Sequence, residues 1–173
     1  MLEMTDRQAV ISSSREAVGA FAKAARAVPA AKWAFPRAPG KWSPAQVTEH
    51  VTFSYEQSVR MVRGTYDEPP PVGRFTQVLA RWLFLPVLFR REKFGKGLQA
   101  PDFIRPTMSP PSSTTLLNRL EAAAHDLEAD LAAASNGKGP SVAHPVFGHL
   151  PLGHLVHFLA IHTNHHTPQV TPA

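Results

Sequence analysis

The sequence predicts an all-α protein: a four-helix bundle with a long crossover connection and an extra apolar helical insertion. Three observations carry that expectation. Four segments repeat apolar residues at close to helical spacing. Their ends carry helix starters or Pro and Gly stops. No segment shows a convincing alternation of apolar and polar residues, so no strand is expected. At 173 residues the chain is expected to form a single domain, 1–173, long enough to bury a core.

The first helix is expected to start after Thr5 or Asp6, both good N-caps, and to run to about Val28. Val10, Ile11, Val18, Phe21, Ala25 and Val28 mark its inner side. Pro29, Pro36 and Pro39 then enforce a turn-rich linker, with Trp33 and Phe35 expected to pin it to the core. The second helix starts at Ser43, an N-cap, followed by Pro44, whose missing N–H costs nothing at the first helical position. It should end before Gly64, with His50 near its second turn. A proline-rich break precedes the insertion, FTQVLARWLFLPVLF from Phe75, which extends to Phe94. Its unbroken apolar part is shorter than the ~20 residues of a membrane span, and Arg81 and Pro86 interrupt it. It is expected to cap the bundle or form a dimer surface, a peripheral membrane contact being the lesser alternative. Pro86 should break or kink any helix there.

Gly95 to Ser113 reads as a long connection across the end of the bundle. The third bundle helix runs from Ser112 or Ser113 to Ala134, with Leu116, Leu117, Leu120, Leu127 and Leu131 as its stripe and Asn136-Gly137 as its stop. The last helix starts after Gly148 or Leu150 and reaches Thr167, where Pro168 should end it.

The formal charge is +5, with a sequence pI near 10.0. A basic balance invites a nucleic-acid reading. The basic residues are scattered apart from Arg90, Arg91, Lys93 and Lys96, and no recognition motif accompanies them, so no nucleic acid is expected. There is no cysteine, which excludes a disulfide, a thiolate nucleophile and a cysteine-zinc site. MLEMTDRQAV has neither a basic start nor an apolar run, so it does not read as a secretory signal, and a cytoplasmic location is expected.

Nine histidines are present, five of them between His154 and His166. His162 and His166 stand four residues apart, on one helix face about one turn apart, as a clamp for a transition metal. His165 competes with His166, because an i,i+3 pair with His162 can also chelate. A site needs a further ligand, and His50 is the best donor. His154, two turns before His162, is a rim candidate; His157 lies too far round the helix. His125, His144 and His149 are expected in loops or on an exposed face. No Glu follows His162, so the HExxH arrangement with its built-in base is missing. Glu49 points some 100° away from His50. A general base is left to a hydroxide on the metal, a spare histidine or a carboxylate such as Glu56.

WSPAQVTEHV (42–51) and HPVFGHLPLGHLVHFLAIHTNHHTPQV (from His144) together resemble the two signature regions of the DinB/YfiT-like superfamily. APDFIRP (100–106) is similar to the loop before that family's third helix. The resemblance spans most of the chain. It implies a four-helix bundle with a divalent metal (zinc or nickel, or iron) on three histidines, which map to His50, His162 and His166. Gln46, Glu56, His154 and His165 are supporting or rim candidates. The family includes thiol-dependent transferases and isomerases that use bacillithiol or mycothiol, and dimers are frequent in it. The resemblance therefore implies a small-molecule substrate, a low-molecular-weight thiol as co-substrate and a homodimer. Thr167-Pro168 departs from the family pattern and should leave His166 on the last turn. The competing expectations are a transferase or hydrolase, a non-catalytic metal or small-molecule module, and a helical interaction protein whose histidines are incidental.

Overall fold

Four long helices carry the fold in a computed structural model that describes residues 7–95, 100–134 and 139–171. They are α1 (Arg7–Arg26), α3 (Pro44–Val62), α6 (Ser113–Ala133) and α7 (Leu152–Val170), with a single turn, α2 (Ala30–Trp33), in the first linker. Thr5 and Asp6, expected to cap the first helix, Lys96 of the basic cluster, and the Asn136-Gly137 stop lie outside the described residues.

The starts of α3 and α6 follow from their caps. Ser43 Oγ accepts from the Gln46 amide at 3.2 Å, and Gln46 Oε1 accepts from the Ser43 amide at 3.1 Å, a reciprocal capping box ahead of Pro44. Ser112 Oγ likewise accepts from the Thr115 amide. The predicted apolar rows of α1 and α6 are buried throughout, with Phe21, Leu116 and Leu120 fully enclosed. Helix α1 packs mainly on α7 and α3 mainly on α6, while α1–α6 and α3–α7 contacts close the ring. Adjacency of α3 and α7 is what brings His50 towards His162 and His166.

Polar groups tie the same helices. Ser14 Oγ donates to Glu128 Oε1 and Arg15 Nε to Glu128 Oε2, both at 2.9 Å. The Tyr55 hydroxyl meets Thr163 Oγ1 at 3.1 Å, and Thr163 in turn donates to the Leu159 carbonyl. Burial pushes the Tyr55 phenol well above its ordinary range, so it stays a proton donor.

Four expectations are corrected. A two-stranded antiparallel hairpin, β1 (Ser141–His144) with β2 (Gly148–Pro151), precedes α7, pairing Val142 with Leu150 and His144 with Gly148. Its strands are four residues long, too short for alternation to stand out. His144 is buried in β1, not exposed: its Nδ1 accepts from the Val146 and Phe147 amides at 3.1 and 3.3 Å and closes the turn. Phe35 is exposed, and only Trp33 of the linker pair packs on the core. Pro168 lies inside α7, which continues to Val170. Val170 is fully buried, and Arg37 Nη1 donates to the Pro168 carbonyl at 2.9 Å, so packing and a C-terminal cation hold the last turn that Pro168 weakens.

The insertion is one helical run in three parts: α4 (Arg74–Leu79), a π-helical turn (Ala80–Phe84) and α5 (Leu85–Arg91). Pro86 falls at the start of α5, and the wider turn before it takes up the disruption that would otherwise break the helix. Phe84 stacks on Phe147 of the hairpin turn and Phe89 meets His157 of α7, ring centroids 6.2 and 4.7 Å apart.

Candidate metal centre

His50 projects from the second turn of α3, and His162 and His166 lie one turn apart on α7. All three side chains are buried. Nε2 of His162 lies 3.1 Å from Nε2 of His50 and 3.1 Å from Nε2 of His166. The three rings form a group whose ligand atoms all fall within 4.8 Å of one another, close enough to hold one metal ion.

The outer nitrogens of His50 and His166 have partners that decide their tautomers. His50 Nδ1 is 2.7 Å from the Ile104 carbonyl, which can only accept, so Nδ1 carries the proton and Nε2 is bare. His166 Nδ1 is 3.1 Å from Gln169 Oε1, while the Gln169 amide nitrogen donates to the His165 carbonyl. That orientation makes Oε1 the acceptor and leaves His166 Nε2 bare as well. Two lone pairs therefore face one His162 nitrogen, and a single His162 proton satisfies only one of them. His162 Nδ1 is buried with no partner among the described residues.

Protonation does not relieve this crowding near neutral pH. Burial lowers His50 to about 4, against the raising effect of the Ile104 bond. Burial lowers His166 to about 3, helped by His50 and His165. His162 is held well below its usual value by burial first and then by His166, His50 and His165. Three neutral imidazoles remain, the form that binds metal. Zinc–nitrogen bonds of about 2.0–2.1 Å in a tetrahedron set ligand nitrogens about 3.3 Å apart, close to the separations present here. The donor set fits a divalent transition metal.

Aromatic side chains wall the group. Trp42 lies 4.9 Å from the His50 ring, Phe158 stacks near His162 at 5.9 Å, and Phe94 contacts His162 and His165 at 5.6 and 5.2 Å. His165 sits beside His166, with ring centroids 4.9 Å apart, on the exposed rim.

The remaining sequence candidates are not brought to the cluster. Gln46 is used in the capping box and donates to the Thr107 carbonyl at 3.3 Å. Glu56 makes a two-point pair with Arg119 of α6 at 2.7 and 2.6 Å. His154 packs against Phe89 of the insertion. Sequence reasoning missed the Ile104 carbonyl and the Gln169 amide, which fix the two tautomers. Glu49, which helix geometry turns away from His50, is a buried carboxylate that accepts from the Thr107 amide at 2.6 Å and so moors the 100–107 segment along α3, a contact the sequence did not reveal. A backbone carbonyl leaves no signature in sequence; Gln169, three residues after His166 on the same helix, could have been found by spacing.

Fold and site together define a helical-bundle protein with a buried three-histidine group able to hold a metal ion. A family model of the DinB superfamily matches residues 15–170, and the chain belongs to that superfamily. No curated protein and no solved structure gives a significant match. Among the described residues, no helix is long and apolar enough to cross a membrane.

Proposed function

We propose that this protein is a metal-dependent enzyme that activates a thiol or water for transfer to, or hydrolysis of, a small molecule. The observation that carries the reading is the convergence of three Nε2 atoms, two of them bare by their outer hydrogen bonds. His50, His162 and His166 would hold the ion, with zinc or nickel, and then iron, best suited to three imidazoles. A divalent ion on three protein ligands keeps a position open and lowers the pKa of a thiol or water placed there. The Ile104 carbonyl and Gln169 orient the donor rings. Trp42, Phe94 and Phe158 limit water around them. His165 stands exposed on the rim beside His166, with its Nε2 3.2 Å from the Gln169 amide nitrogen, and is the spare histidine of this reading. A cytoplasmic location and a low-molecular-weight thiol as co-substrate belong to the same reading.

A second reading, a non-catalytic metal or small-molecule module, is favoured by one observation. Glu49 and Glu56, the carboxylates closest along α3, are engaged with Thr107 and Arg119, so neither stands ready as a general base. Metal content of tag-free protein by plasma mass spectrometry, beside His162→Ala, tests the site. About one metal per chain, lost in the variant, is expected; no metal after incubation with zinc, nickel and iron(II) would remove the first reading and the metal form of the second. Turnover of thiol-transfer or hydrolysis substrates by the loaded protein then separates the first from the second.

A further inference from the structure

The insertion presents apolar residues on two sides. Its inner side, Leu85 and Leu88 with Phe84 and Phe89, packs against the hairpin and α7. Its outer side leaves Phe75 76%, Trp82 67% and Leu83 64% exposed, with Val78, Leu79 and Val87 beside them. Positions 75, 78, 79, 82 and 83 follow the i, i+3, i+4, i+7, i+8 pattern of one helix face. The π turn adds a residue to its turn and brings Val87 back toward that row. Six of the eight large hydrophobic side chains exposed among the described residues lie on this one run, so the exposure is concentrated, not scattered.

Charge says what the face fits. Residues 74–93 carry Arg74, Arg81, Arg90, Arg91 and Lys93 against a single acid, Glu92. Of the arginines elsewhere, Arg15, Arg26, Arg60, Arg63, Arg105 and Arg119 each pair with a carboxylate, while Arg7 and Arg37 donate to backbone carbonyls. Among the described residues none of the five basic groups of the insertion makes such a pair. A second copy meeting this face about a twofold axis would set two positive segments against each other. An anionic lipid surface offers the opposite sign together with an apolar boundary for Trp82 and Phe75.

We propose that the run from Arg74 to Lys93 is an interfacial helix that docks the protein on anionic phospholipid bilayers. Phe75, Leu79, Trp82 and Leu83 enter the headgroup boundary, and the flanking basic groups meet lipid phosphates. The bundle stays in water.

Co-sedimentation of the full chain with phosphatidylcholine vesicles, with and without phosphatidylserine, tests this. Binding is expected only with phosphatidylserine, with a blue shift of tryptophan emission that Trp82→Phe removes. Trp82→Glu and the double variant Arg90→Glu/Arg91→Glu should each weaken binding on the order of tenfold. Both alter exposed side chains, and an unchanged helical circular-dichroism spectrum shows that each variant is folded. Equal binding to both vesicle types, no binding to either, or binding indifferent to both variants overturns the proposal. So does a concentration-dependent dimer that Trp82→Glu dissolves, which would assign the face to a second copy.

Discussion

The Ile104 carbonyl and the Gln169 side chain, neither of which touches the converging nitrogens, decide what those nitrogens can do. Each accepts a hydrogen bond from an outer imidazole N–H, which holds the proton there and leaves the inner nitrogen bare. Gln169→Leu should therefore keep the fold and lower metal affinity about 10- to 100-fold, the usual loss when a ring's outer partner is removed. Competition with a chromophoric chelator measures it, and unaltered affinity would mean that the Gln169 contact does not orient His166. His50→Ala or His162→Ala should abolish metal retention, whereas His165→Ala should retain it, because His165 lies on the rim while the other two converge. Loss in His165→Ala with retention in His166→Ala would place the chelating register one residue earlier. The three converging histidines were legible in the sequence because spacing places His162 and His166 on one face and the two signature segments supply His50. Their outer partners were not, because a backbone carbonyl has no residue type and Gln169 carries a signal only once the direction of the His166 ring is known.

At the level of elements, strong local signals were legible and compensated ones were not. The Ser43-Pro44 start of α3 was readable because the cap is purely local, and Ser43→Ala should cost about 1 kcal/mol in urea unfolding. The hairpin escaped notice because two four-residue strands joined through Pro145 have little room for a period. Pro168 was a correct signal outweighed by packing. An interior proline costs about 3 kcal/mol, while complete burial of a valine returns about 1.5–3 kcal/mol, and Arg37 adds a charged hydrogen bond at the helix end. Pro168→Ala should then raise stability by about 1–3 kcal/mol by restoring an amide hydrogen bond and removing the ring's clash with the preceding turn and should leave metal stoichiometry unchanged. Val170→Ala should cost about 2 kcal/mol and also weaken metal binding, since the last turn carries Gln169. Thermal melts with metal titration check both, and a Val170→Ala protein with full metal affinity would detach the site from the helix end.

For the molecule as a whole, the buried histidines make stability a function of pH. His50, His144 and His166 are lowered to about 4, about 3 and about 3, each chiefly by burial, and His162 well below its ordinary value. Histidine in the unfolded chain titrates near 6.5. Below that pH the unfolded state binds protons that the folded state refuses, so stability falls as pH drops from about 6.5 towards 4. Each such histidine contributes a slope of up to about 1.4 kcal/mol per pH unit. His144 alone gives a lower bound, because it lies in the hairpin, apart from the three-histidine group. If all act, a domain stabilised by about 5–15 kcal/mol should unfold before pH 4. The urea midpoint of chelator-treated protein at pH 7, 6 and 5 should decrease monotonically, and His50→Ala/His162→Ala should flatten the decline by removing two of the refused protons. Saturating metal should raise the midpoint at pH 7 and lose that effect at pH 5, because protons compete for the same nitrogens. A midpoint unchanged between pH 7 and 5 without metal would mean that the histidines take up protons in the folded protein, and the neutral, metal-ready state of the site would not hold.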